Sequence, residues 1–287
     1  MPTTSTPTIP TRIHNRLALH SIGQSVRLAL LLLYLLAQFF ADLPPWLNLL
    51  VFLLPVVFVV LHSIQNFGRR NTLITFAIIF VVSFAFEAVG TNTGLIYGAY
   101  YYPEALNGPL LFGIPPLLPL VYVSLGYAAY WMARLLLGRL GRLQWSDVLP
   151  LSVVAAFLMV LWDLSIDPTQ STVLSHYIWI HGGAYFGVPF QNFVGWFAAG
   201  LTFFLLVSAY FVRFGRRAGQ VRAPRSVLAE PILLYTIAAV AAAMPLIRAD
   251  VTAISQSMTL IALFGMGLPI LVATLRLREV RERPVRR

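Results

Sequence analysis

The chain has 287 residues, of which 59% are hydrophobic and only 10% charged, with a formal net charge of +10. A soluble domain carries about 25% charged residues, so this composition describes a membrane protein. Cysteine is absent and all twenty basic residues are arginine, which excludes disulfides, a thiolate nucleophile, cysteine-based metal sites and a Schiff-base lysine.

The first ~20 residues are polar, rich in Thr and Pro and then Arg-bearing, and residues 1–20 read as a flexible cytoplasmic tail without a cleavable signal peptide. Eight apolar runs follow, at roughly 23–41, 46–63, 71–90, 114–137, 147–165, 190–213, 228–246 and 252–275. Each is long enough to cross a hydrocarbon core of ~30 Å. Pro231 and Pro245 bracket the seventh. Residues 21–277 therefore read as a single transmembrane domain. The predicted fold is all-α, a polytopic membrane helix bundle of about eight transmembrane helices, and residues 278–287 form a basic tail.

Assigning the connections to alternate sides places nineteen arginines on one side and only Arg248 on the other. Basic residues mark the cytoplasmic face, so both termini are predicted to be cytoplasmic, in a multi-pass protein of the cell (inner) membrane. The positive charge is then topological, with some attraction to anionic headgroups of the lipid bilayer, and no nucleic-acid partner is expected.

Two long connections on the Arg-poor, outer side stand apart, at about 91–115 and 167–192. Neither contains Lys or Arg, and both are rich in Tyr, Trp, Gly and Pro. An aromatic belt at the membrane interface is the plain reading, but it does not account for the acids beside them. The two loops also share a pattern. Gly98-Ala99-Tyr100 recurs as Gly183-Ala184-Tyr185, and Gly113-Ile114-Pro115 recurs as Gly187-Val188-Pro189. Spans three–four and five–six thus read as a parallel helix–loop–helix repeat, an arrangement that often builds a site between its halves.

Three carboxylates lie at the outer ends of apolar runs: Glu87 in span three, Asp163 and Asp167 in span five. An acid within a span costs at least ~2.5–3.5 kcal/mol. Asp163 and Asp167 are four residues apart and share one helix face. Like charge and burial together are the setting in which one of these acids keeps its proton and serves as a general acid. Asp167 precedes Pro168 and can also be read as simply ending its helix. His176 and His181 flank Trp179 in the second loop. Asn192, at the start of span six, has N-capping as its plain reading, and Trp196 follows. Glu230 reads as compensating a helix N-terminus and His62 as structural.

Several chemistries fit an intramembrane acid cluster. Asp163-x-x-x-Asp167 superficially resembles a magnesium–diphosphate motif, but its side of the membrane carries a single arginine to clamp a diphosphate. A membrane transporter or proton relay would use such acids, yet here they gather at one side and the inner halves of the spans are nearly bare of charge. An enzyme acting on a lipid-soluble molecule near the outer interface needs a proton donor, water and aromatic faces for a carbocation. Acid-catalysed hydration of an alkene fits that list and calls for no metal and no cofactor.

The blocks FEAVGTNTGLIYGAYYYPEALNG, GIPPLLPL, WDLSIDP and IWIHGGAYFGVPFQNFVGW, within residues 84–200, resemble the CruF-type carotenoid 1,2-hydratases, which include the bisanhydrobacterioruberin hydratases. The resemblance implies a carotenoid substrate with an acyclic ψ-end, such as γ-carotene, lycopene or a bisanhydrobacterioruberin-like molecule. Water would add across its terminal C1=C2 bond, giving a tertiary alcohol. The expected catalytic residues are Glu87 and Asp163 as an acid/base pair in either order, with Asp167 third. The expected substrate-binding residues are Tyr97, Tyr100, Tyr101, Trp179, His181, Tyr185, Asn192 and Trp196. Association with other carotenoid-pathway enzymes is compatible with such a role.

Overall fold

Each of the eight apolar runs forms a helix. These are α1 (Thr11–Ala37), α2 (Pro45–Phe67), α3 (Arg69–Thr93), α5 (Leu118–Leu136), α6 (Trp145–Pro168), α7 (Phe190–Arg213), α8 (Arg225–Ile247) and a last helix in which α9 (Ala253–Leu260) passes through a π-helical turn (Ile261–Met266) into α10 (Gly267–Glu279). A short α4 (Glu104–Asn107) sits in the first long loop. The computed structural model describes residues 11–40, 43–215 and 223–280, the first eleven of them by backbone alone. Residues 1–10 and 281–287 of the two expected tails lie outside the described residues, and α1 begins inside the segment read as a flexible tail.

Among the described residues, six helices are long and apolar enough to cross a membrane: α2, α3, α6 with the turn that follows it, α7, α8, and α9 through α10. The apolar part of α1 is shorter, Ile22–Ala37. Helix α5 is less apolar for a structural reason. It is the centre of the bundle, packed against α2, α3, α6, α8 and α10, and every residue from Tyr122 to Leu135 is buried. A helix surrounded by other helices can carry tyrosine, tryptophan and arginine that lipid would not accept. Helices α6 and α7 form the most extensive pair, drawn together where Gly200 faces Ala156 so closely that a Cβ on Gly200 would lie 3.5 Å from it, the small-residue packing usual in membranes.

At two of the prolines inside helices, the backbone carbonyl that the proline frees is claimed by a side chain from another element. Pro231 leaves the Val227 carbonyl open, and His62 Nε2 donates to it at 3.0 Å. The tautomer is thereby fixed, and His62 Nδ1 accepts from the Tyr127 hydroxyl at 2.6 Å. Pro168 leaves the Leu164 carbonyl open, and the Tyr185 hydroxyl donates to it at 2.7 Å. Consequently the helical run does not stop at Asp167-Pro168. The helix continues through a π-helical turn, Thr169–Val173. Glu230 also departs from its sequence reading. It lies beyond the first turn of α8, is fully buried, and pairs with Arg27 of α1 at 2.6 Å.

Candidate active site

The two long loops are tied to each other over one end of the bundle. Tyr100 pairs with Trp179 and Tyr101 with Ile178 in a two-residue antiparallel ladder, β1 (Tyr100–Tyr101) with β2 (Ile178–Trp179). The shared sequence pattern is partly structural. Leu111 bridges Ile114 around Phe112 (φ 52°) and Gly113 (φ 82°), and Tyr185 bridges Val188 around Phe186 (φ 50°) and Gly187 (φ 92°). Two successive positive φ angles define the same tight turn in both loops. The Gly-Ala-Tyr elements, by contrast, do different jobs. Tyr100 turns into the bundle towards Glu87, whereas Tyr185 packs between α6 and α7 on the opposite side.

Beneath the ladder lies a chamber of about 580 Å³. All three predicted acids are buried at its walls, with Glu87, Asp163 and Asp167 only 3%, 2% and 1% exposed. Glu87 and Asp163 line it directly. The Glu87 carboxylate accepts hydrogen bonds from Tyr100 (2.6 Å), Tyr102 (3.3 Å) and Tyr122. On the facing helix, Asp163 and Asp167 both accept from the Asn192 amide nitrogen, at 2.9 and 2.5 Å. Asp167 also accepts from the Tyr177 hydroxyl. Among the described residues the other oxygen of Asp163, Oδ1, accepts no hydrogen bond. Asn192 is therefore more than a helix cap: its side chain is committed to the two aspartates.

The phenols around these acids are neutral donors. Burial first, and then the Glu87 carboxylate, hold the Tyr100 and Tyr102 hydroxyls well above the usual phenol range. Burial and then Asp167 do the same for Tyr177. The aromatic faces are arranged around the acids. Tyr122 stacks on Trp196 at 4.4 Å with the planes 8° apart, and Trp162 meets Trp196 edge-on at 5.8 Å. Tyr100 contacts Trp179 at 4.9 Å.

Of the predicted binding residues, Tyr97, Tyr100, Trp179, Asn192 and Trp196 line the chamber. Tyr101 and His181 are exposed above it, and Tyr185 faces the separate groove between α6 and α7. These three stand outside the chamber. Four residues that touch the acids or line the chamber were not singled out as site residues: Tyr102, Tyr122, Tyr177 and Trp162. Tyr122 was legible as a polar hydroxyl within an otherwise aliphatic stretch. Tyr177 carried no signal beyond its neighbours in an aromatic loop.

The chamber continues deeper into the bundle. A second, apolar cavity of about 100 Å³ shares Tyr34, Phe52, Val121 and Trp162 with it and extends to Pro55, Leu125 and Ala238. From Asn48 in the chamber to Val56 in this lane the wall of α2 runs ~12 Å. The arrangement is a largely apolar, aromatic-walled chamber with buried acids and an apolar lane leading from it towards the middle of the bundle.

Fold and site together define a multi-pass helical membrane protein with a buried acid–aromatic chamber suited to an oily substrate. The chain belongs to the carotenoid biosynthesis protein family, whose model matches residues 47–267. It is 36% identical over 137 residues to a bisanhydrobacterioruberin hydratase of Haloarcula japonica. That match covers 47% of this chain and 44% of the relative, so the chain spans less than half the length of the curated protein it matches. No solved structure matches.

Proposed function

We propose that the protein is a carotenoid hydratase that adds water across the terminal C1=C2 bond of an acyclic ψ-end, giving a tertiary alcohol. The observation that carries this reading is the chamber lined by Glu87 and Asp163, the latter tied to Asp167 through Asn192, with aromatic walls and an apolar lane beyond. Family membership supports a carotenoid substrate, and the name of the relative supports hydration.

In the proposed reaction the polyene lies in the lane and its end enters the chamber. Asp163 is the proton donor: one of its oxygens is held by Asn192 and the other is free to carry the proton to C2. The tertiary cation left at C1 is stabilised by the faces of Trp196, Tyr122 and Trp162. Water attacks C1 and gives its proton to Glu87. A carboxylate that accepts three hydroxyl hydrogens is suited to the base role. Asp167 holds Asn192 and Tyr177 in place and tunes the pair. The chemistry needs no cofactor.

This reading includes eight membrane crossings with both termini cytoplasmic, in the inner membrane, since nineteen arginines then fall on one side and Arg248 alone on the other. The acids lie near the outer interface, where water is at hand. Expression in a lycopene-producing host is expected to yield carotenoids heavier by one water per modified end. Unchanged pigment from protein recovered intact in the membrane overturns the reading. Proton flux through liposomes without carotenoid would favour a proton relay instead.

A further inference from the structure

Tyr97 enters the chamber in an unusual way. It belongs to the first loop, yet its ring sits between two membrane helices and is 1% exposed. A Cβ on Gly90 of α3 would lie 2.5 Å from one edge of the ring, and a Cβ on Gly195 of α7 would lie 2.5 Å from the other. The two glycines form a slot with room for an aromatic ring and nothing more. Helices α3 and α7 thus give up side chains at facing positions to hold this ring.

The slot delivers a fully buried hydroxyl whose near neighbour is the Tyr122 hydroxyl; that hydroxyl is aligned on Glu87, and the Tyr97 hydroxyl makes no well-aligned hydrogen bond of its own, although its ring lines the chamber. Leaving such a group unpaired is costly. Phenylalanine would fill the slot equally well without that cost. Trp179, on the same chamber wall, has a second buried and unpaired donor, its indole N–H. An indole N–H cannot accept, so the partner missing from it is an acceptor atom. Two such polar groups beside a chamber whose Glu87 carboxylate is already held by three hydroxyls mark a place for an oxygen atom that arrives with the reaction.

We propose that Tyr97 holds the reacting water: its hydroxyl oxygen accepts one hydrogen of the water that becomes the product hydroxyl, and afterwards it hydrogen-bonds the tertiary alcohol. This rests on the hydratase reading. The bookkeeping of atoms is simple. The C1–O bond forms as the other O–H bond of the water breaks, that proton passes to Glu87, and no bond of Tyr97 is made or broken. The ring is fixed by the glycine slot, so the water is fixed relative to both acid stations.

The test is Tyr97→Phe, which keeps the ring in its slot and removes one oxygen. With purified protein and an acyclic carotenoid, kcat is expected to fall about 10- to 100-fold, the scale of a misplaced reactant, while KM holds. The melting temperature is expected to stay level or rise, because a buried unpaired group is removed. A wild-type kcat in Tyr97→Phe overturns the proposal, and so does a fall in melting temperature that accounts for the lost activity. A binding arm separates this from failure of the hydratase reading. Wild-type protein should bind a short tertiary terpenoid alcohol about tenfold more tightly than its parent alkene, a preference worth one hydrogen bond, and Tyr97→Phe should lose that preference. If wild-type protein hydrates nothing, the hydratase reading falls, and this arm still decides the role of Tyr97. An equal preference in both proteins overturns it.

Discussion

Asp163 and Asp167, one turn apart on α6, share a single donor: the Asn192 amide nitrogen lies 2.9 Å from one carboxylate and 2.5 Å from the other. Two acids that would repel across one helix face are held at fixed positions by a residue of α7. Replacing Asn192 with Leu removes that donor and leaves two buried carboxylates facing each other. Loss of a hydrogen bond to a charged group costs about 1.5–3 kcal/mol, so product formation should fall roughly 10- to 100-fold. Carotenoid extracts analysed by mass spectrometry, normalised to protein in the membrane, read the change. Wild-type output from Asn192→Leu would show that the shared donor has no part in the reaction.

The acid and base assignments predict that Glu87→Gln and Asp163→Asn each lower turnover by about 10²–10⁴-fold, the usual contribution of general acid–base catalysis. Both are near-isosteric and should leave the protein in the membrane. Full activity in either variant sinks the role given to that residue. Asp167→Asn, at a tuning position, should cost less than either.

Ala238 lines the apolar lane from α8. Ala238→Phe would fill a space of about 100 Å³. The expected result is selective. A full-length carotenoid should no longer be converted, while a short acyclic terpene with the same end group, which needs only the chamber, should still gain water. Equal loss on both substrates would place the polyene elsewhere.

The Arg27–Glu230 pair joins α1 to α8 with both partners buried, and Glu230 accepts from two nitrogens of Arg27, at 2.6 and 3.0 Å. Removing one partner of a buried pair typically costs 3–5 kcal/mol. Glu230→Leu should therefore lower the melting temperature of the purified protein clearly. The double variant with Arg27→Leu should recover part of the loss, since no buried charge is then left alone. No recovery would mean that the pair does not act as a unit.

Much of this architecture is legible in the sequence because a membrane imposes strict rules. Eight apolar runs marked eight helices, and Glu87, Asp163 and Asp167 stood out because acids are rare in such runs. What the runs could not reveal was side-chain geometry across the bundle. Asp167-Pro168 looked like a helix end because the clash before proline is a local rule. The π-helical turn after it and the Tyr185 hydroxyl on the Leu164 carbonyl are tertiary compensations that no local rule contains. Tyr101 belongs to the same aromatic run as Tyr97 and Tyr100, and Tyr185 to the matching run of the second loop; composition alone cannot say which of the four tyrosines turns inward. Gly90 and Gly195 are a further case: each is an ordinary membrane-helix glycine until the ring between them is known.

The loop ladder has one more consequence. Tyr100 and Trp179 stand opposite each other, with Tyr101 and Ile178 next in register. Successive residues of a strand face opposite ways, so a slip of one position would reverse both strands. Tyr101 would then turn inward in place of Tyr100, and Glu87 would lose the hydroxyl now 2.6 Å from it. Residues 100 and 179 come from different halves of the chain, as do the two acid stations. The alignment of a reaction buried among helices is thus keyed by two residue pairs that lie outside them, much as the teeth of a key set pins deep inside a lock.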